Sequence, residues 1–60
     1  MKEIYSPDVI KNSDKPCVVH LIGKDGGEKY VDCINLTDAK IFIGGDVNEE
    51  RVASVEVVLK

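Results

Sequence analysis

Aromatic residues and cysteines are scarce in this 60-residue chain, and each scarcity excludes a class of protein. Tryptophan is absent, and phenylalanine and tyrosine together make up 5% of the residues. The two cysteines are too few for a disulfide framework, and a chain this short cannot house a multi-layer enzyme. The sequence therefore predicts one small domain over residues 1–60, with a core made mainly of aliphatic side chains.

Long apolar runs are also missing. No stretch approaches the ~18 apolar residues of a membrane span, and the first ten residues contain no apolar run of signal-peptide length. These two features predict a cytoplasmic protein in which Cys17 and Cys33 are reduced thiols.

Positive charge is neither abundant nor clustered. Eight Lys and Arg residues oppose eleven Asp and Glu residues, so the net charge is −3 with the histidine neutral. Proteins that bind nucleic acid concentrate positive charge to displace counterions from phosphates. The scattered basic residues therefore argue against DNA or RNA as a partner, and nothing in the sequence indicates a membrane partner.

Apolar alternation and turn residues divide the domain into three parts. Residues 1–16 contain a short strand and then a helical turn, for which Ser6 is a good N-cap and Pro7 a good first residue. Residues 17–35 contain two β-rich runs around a glycine-containing loop, which predicts a β-hairpin. Residues 39–59 are predicted to form further strands.

The third part contains two predicted strands. Alternation of Ala39, Ile41 and Ile43 predicts a strand there, after a turn at the preceding residues. A short helical turn at 47–51 and a valine-rich strand at 52–59 follow, although helical spacing also fits the last segment.

The hairpin register follows from the requirement that apolar side chains share one face. A three-residue loop over Asp25–Gly27, with Gly27 in the left-handed conformation, places Leu21 opposite Val31 and Val19 opposite Cys33. On the other face this register sets His20 opposite Asp32 and Ile22 opposite Tyr30.

The predicted fold is mainly β, a β-rich α+β domain. It is a small antiparallel sheet or an SH3-like barrel of four to five short strands with one helical turn. The alternating positions of successive strands predict a core of Val19, Leu21, Val31, Cys33, Ile41, Ile43, Val55 and Val57.

Candidate chemistry is limited to three residues. Nucleophilic catalysis needs a thiol or hydroxyl beside a base, but strand positions 17 and 20 point to opposite faces, so Cys17 does not meet His20. Together with Cys33 these residues supply three ligands at irregular spacing, whereas a structural zinc site needs four. The sequence therefore predicts no catalytic residue, no metal and no cofactor.

Surface residues carry the functional hypothesis. The acidic turn contributes Asp46, Glu49 and Glu50, and the last strand contributes Val58, as predicted partner-binding residues. We expect a non-enzymatic interaction protein that binds and occludes a larger protein partner, and that is a homodimer when free. Stand-alone acidic domains of this length are typical of phage or mobile-element products that inhibit a host enzyme or defence complex.

An alternative hypothesis uses the opposite face of the hairpin. There His20, Tyr30 and Asp32 would form the ligand face of a small-barrel module that binds an oligonucleotide or a small ligand. An exposed Tyr30 beside clustered Lys24 and Lys29 would favour this alternative.

Overall fold

A computed structural model describes all 60 residues, which form one mixed sheet and two helices. The strands lie in the order β1-β4-β2-β3; β1 is parallel to β4, and the other two pairings are antiparallel. The prediction of a mainly β, α+β domain is confirmed, and the sheet is open instead of closed into a barrel. It differs from the predicted antiparallel sheet with one helical turn, because the pairing of β1 with β4 is parallel and there are two helices. In chain order the elements are β1 (Lys2–Tyr5), α1 (Pro7–Lys11), β2 (Cys17–Gly23), β3 (Glu28–Cys33), α2 (Leu36–Gly45) and β4 (Val52–Leu59).

Helix α1 begins where the sequence predicts a helical turn. The Ser6 side chain accepts a hydrogen bond from the backbone N–H of Val9 at 3.2 Å, and Pro7 occupies the first turn. Val9 is fully buried, so this short helix anchors the N-terminal segment to the sheet.

The hairpin forms, but its register differs from the predicted one. Val19 lies opposite Val31, and Leu21 lies opposite Lys29. The pairing of β3 with β2 is therefore shifted by two residues from the predicted register. Because side chains alternate with a period of two, this shift leaves every side chain on its predicted face. The pairings of Leu21 with Val31, and of His20 with Asp32, are therefore wrong, whereas the assignment of faces is right.

Gly26 causes the difference in register. It has a φ of 90°, whereas Gly27 does not have a positive φ. Gly26 N–H donates to the Gly23 carbonyl at 3.0 Å, and the Asp25 carboxylate accepts from Gly27 N–H at 2.9 Å. These bonds close the turn one residue earlier than predicted.

A pair of glycine substitutions checks this turn. Gly26→Ala is expected to lower the free energy of unfolding by about 1–2 kcal/mol, because L-residues are strained at positive φ. Gly44→Ala adds a Cβ to helix α2 with no atom within 4 Å, and is expected to raise it by about 0.5–1 kcal/mol. Urea denaturation measures both, and equal changes would contradict the left-handed turn.

The predicted strand at Ala39–Ile43 is wrong, because these residues belong to helix α2. The Asn35 side chain accepts from the backbone N–H of Asp38 at 2.8 Å and caps the helix. Burial of Ala39 and Ile43 fits a strand and a helix equally, since positions four apart share a helical face. Ile41 distinguishes the two structures, and it is 68% exposed.

Strand β4 confirms the predicted strand at 52–59 and lies inside the sheet, between β1 and β2. Both β3 and β4 are antiparallel to β2, so they run in the same direction and need a crossover, which α2 provides. The free edges of the sheet are therefore β1 and β3. The turn that leads into β4 is closed by Val52 N–H, which donates to the Asn48 carbonyl at 3.1 Å.

One core lies between the sheet and both helices. Six of the eight predicted core residues are buried; Val31 is half-buried at the margin, and the prediction for Ile41 is wrong because α2 turns it outward. Neither helix has the length and apolar composition needed to cross a membrane. The buried residues are Val9, Cys17, Val19, Leu21, Cys33, Leu36, Ala39, Ile43, Val55 and Val57.

Candidate interaction surface

The second face of the sheet is covered by neither helix, and we call it the open face. Its side chains are those of strand positions that alternate with the core residues. They form three rows across the sheet, defined by the strand pairing. The rows are Val58, Val18 and Asp32; then Ile4, Glu56, His20 and Tyr30; then Lys2, Ser54, Ile22 and Glu28.

A stacked pair of rings occupies the central row. The His20 and Tyr30 centroids are 4.4 Å apart, and the ring planes differ by 4°. Gly23 N–H donates to the Gly27 carbonyl at 2.7 Å, so that pair is hydrogen-bonded, and by alternation His20 and Tyr30 form a non-hydrogen-bonded pair. Side chains approach most closely at such pairs, which explains the stack. Tyr30 is nevertheless 67% exposed.

Carboxylates surround the stack. Nε2 of His20 lies 2.9 Å from Oε1 of Glu28, and Glu56 is the neighbour of His20 on β4. Asp32 follows Tyr30 on the same face of β3, and its Oδ1 lies 3.5 Å from Nζ of Lys60. The aromatic pair is therefore bordered by negative charge on several sides.

Four residues predicted for two different sites share this face. Val58 comes from the predicted partner-binding set, whereas His20, Tyr30 and Asp32 come from the alternative ligand face. Val18 separates Val58 from Asp32, and His20 contacts Tyr30 instead of Asp32. The structure thus places one residue of the predicted partner-binding set on the same surface as the whole alternative ligand face.

The remaining predicted residues lie apart from the stack. Asp46, Glu49 and Glu50 are exposed in the connection between α2 and β4. There Glu50 lines a shallow crevice of about 370 Å³ with Lys24, Asp25 and Arg51. Because the crevice has two acidic and two basic side chains, this connection is not a uniformly negative surface.

The two thiols lie in the core, away from the histidine. Cys17 and Cys33 are buried under the helices, whereas His20 points to the open face. Burial, and next the Asp38 carboxylate, raises the pKa of both thiols. Cys17 Sγ donates to the Asn35 carbonyl at 3.4 Å. A raised pKa lowers the fraction of the reactive thiolate, so both cysteines act as small apolar core residues.

Sequence reasoning missed Ile4, Val18, Ile22, Glu28 and Glu56 as members of this surface. The alternation that assigns Val19 and Leu21 to the core places Val18 and Ile22 on the other face, so a signal was present. Only the positions of the helices reveal that this second face is uncovered.

Comparisons of the chain with protein-family models, with curated proteins and with solved structures find no match.

Proposed function

We propose that this protein is a non-enzymatic interaction protein that binds a larger protein partner with its open face and occludes part of that partner's surface. The uncovered apolar and aromatic side chains of this face support the proposal. Ile4 is 42% exposed and Tyr30 is 67% exposed, and Val18, Ile22 and Val58 lie half-buried in the same rows. Ile4 and Tyr30 lie on the two edge strands, whereas Val18, Ile22 and Val58 lie on the two central strands. Exposed apolar side chains bordered by polar groups are typical of protein interfaces.

The size of the molecule fits an occluding role. A standard interface takes about 800 Å² from each partner, which is about a fifth of the 4077 Å² surface of this chain. The Cα atoms span 31 × 19 × 16 Å, so only a broad face can supply such an area. A partner bound there would be covered by one complete side of the domain.

The charge of the open face favours a protein over a nucleic acid. Tyr30 is flanked along β3 by Glu28 and Asp32, and these carboxylates repel phosphates. Lys29 lies on the other side of β3, away from the Tyr30 ring. Lys29, which the oligonucleotide-binding alternative requires beside Tyr30, is therefore separated from the aromatic stack.

Inhibition is the specific role that we propose. The net charge of −3 and the small size suit a protein that covers a basic site on a host enzyme or defence complex, as expected of a phage or mobile-element product. When the partner is absent, we propose that a second copy of this chain binds the same open face. β4 has no free edge, so a dimer that uses this strand would have to form through side chains such as Val58.

Val58→Lys tests the open face. The lysine places a charge beside Val18 on the open face, and is expected to reduce capture of the natural partner from lysates of the source organism at least tenfold. Ile41→Lys is the matched control, because it adds the same charge at an exposed isoleucine on the helical side. It is expected to capture as much partner as the parent, with circular dichroism and melting temperature establishing that both variants fold.

Undiminished capture by folded Val58→Lys would contradict the proposal.

Self-association is measured separately by analytical ultracentrifugation over a hundredfold dilution from low micromolar concentration. We expect a dimer for the parent that dissociates on dilution, and a monomer for Val58→Lys. A parent that remains monomeric throughout would rule out the second copy as a competitor.

A further inference from the structure

The outer edge of β3 has backbone groups available for pairing. β3 is the last strand of the sheet, with β2 on one side and no strand on the other. The hydrogen-bonded pair of Gly23 and Gly27 sets the alternation along the hairpin. By this alternation the N–H and C=O groups of Glu28, Tyr30 and Asp32 point outward.

The same three residues carry an acid-tyrosine-acid pattern on the open face. Residues two apart on a strand are separated by about 7 Å, so the carboxylates of Glu28 and Asp32 lie on either side of the Tyr30 ring. Lys60 already pairs with Asp32 at 3.5 Å, which demonstrates that an ammonium group can reach this position. Both members of that pair are more than half exposed, so the contact exchanges readily with another cation.

We propose that β3 receives an extended segment of the partner by antiparallel strand addition, with lysine or arginine side chains opposite Glu28 and Asp32. This inference rests on the proposed protein-binding function and specifies the chemistry of the partner. Backbone hydrogen bonds at the edge provide binding, and the alternating charges select a basic segment. A cation opposite Tyr30 also gains attraction from the face of the ring.

A second copy fits this edge poorly. A two-fold axis that joins two β3 edges in antiparallel fashion is perpendicular to the sheet, so it pairs residues of the same face. In the register centred on Tyr30, the acid-tyrosine-acid segment of one copy pairs along its whole length with the same segment of the other copy. It places Glu28 of each copy opposite Asp32 of the other, and directly opposed like charges destabilise a strand pair. A basic segment reverses the sign of both interactions.

Synthetic peptides test the proposal. The probe is a capped nine-residue peptide of alternating lysine and valine, titrated into the labelled full chain and followed by NMR. We expect it to bind at least tenfold more tightly than a peptide of alternating glutamate and valine. It is also expected to slow hydrogen exchange of the Tyr30 and Asp32 amides at least tenfold, since these amides would become hydrogen-bonded.

N-methylation separates strand addition from simple charge attraction. When lysines lie opposite the acidic residues, the lysine N–H groups face β3 and the valine N–H groups face away. Methylating the lysine amides is expected to weaken binding at least tenfold, whereas methylating the valine amides leaves binding within about twofold. Equal binding of both methylated peptides, or no binding of the unmodified peptide, would overturn the proposal.

Charge reversal gives a second, independent measurement. The double variant Glu28→Lys with Asp32→Lys is expected to prefer the glutamate peptide. Asp14→Lys, in the exposed connection between α1 and β2, is expected to retain the lysine preference. If the lysine peptide does not bind but Val58→Lys still captures less of the natural partner than the parent does, strand addition is wrong and the open-face proposal stands. If the lysine peptide binds as expected but Val58→Lys captures the partner normally, the open-face proposal fails instead.

Discussion

Ile41→Pro is expected to lower the free energy of unfolding by about 3 kcal/mol or more, whereas Ile41→Ala is expected to change it by less than about 0.5 kcal/mol. Ile41 lies inside helix α2 and is 68% exposed, so neither substitution removes much buried surface. Proline removes a backbone N–H donor and clashes with the preceding turn of the helix. Urea denaturation of the two variants and the parent measures the difference.

The expected loss is large for a domain of this size. At about 0.05–0.15 kcal/mol per residue, a 60-residue domain has a total stability of about 3–9 kcal/mol. Ile41→Pro therefore leaves a substantial unfolded population, and Ile41→Ala serves as its control at the same site. A cost of several kcal/mol for Ile41→Ala would place this side chain in the core, as alternation predicts, and would contradict the helix.

Leu21→Ala is expected to cost about 2–5 kcal/mol, and Ile22→Ala less than half as much. The two residues are neighbours in β2 and lose side chains of equal size. Leu21 is 9% exposed under the helices, whereas Ile22 is half-buried on the open face. Truncating Leu21 leaves a cavity beneath the helices, but solvent can fill the space left by Ile22.

Thermal and urea unfolding at two protein concentrations measure this difference. A larger cost for Ile22→Ala than for Leu21→Ala would mean that the helices cover the other face. A cost for Ile22→Ala that appears only at high concentration would instead identify self-association through the open face.

Local patterns in the sequence were sufficient for the hairpin, α1 and β4. Period-two alternation separates Val19 and Leu21 from Val18 and His20, and this separation does not depend on the register. The register itself was mispredicted because Gly26 and Gly27 are adjacent, and either one can supply the left-handed residue of the loop.

Helix α2 was mispredicted because its apolar residues satisfy two periods at once. Ala39, Ile41 and Ile43 alternate as in a strand, whereas Leu36, Ala39 and Ile43 follow helical spacing. The Asn35 cap with Asp38 in the first turn indicates a helix start, but the pattern also matches a turn before a strand.

The residues of the candidate surface were partly predictable. The sequence predicts Val58, His20, Tyr30 and Asp32 as binding residues, but as members of two different sites. Their common position depends on β4 pairing with β2, a contact between residues far apart in sequence. Such pairings leave no local signal, because apolar alternation is the same whichever strand becomes the neighbour.

The sequence by itself determined that the chain is an acidic, β-rich domain with a mainly aliphatic core. It also determined which side chains within β2, and which within β4, lie on the same face of that strand. Tertiary structure alone decided that both helices cover the same face, that β4 is central and that β3 is an edge. The physical reason is the range of the interactions. Alternation and capping act between residues a few positions apart, whereas the uncovered face and the free edge depend on where distant elements pack.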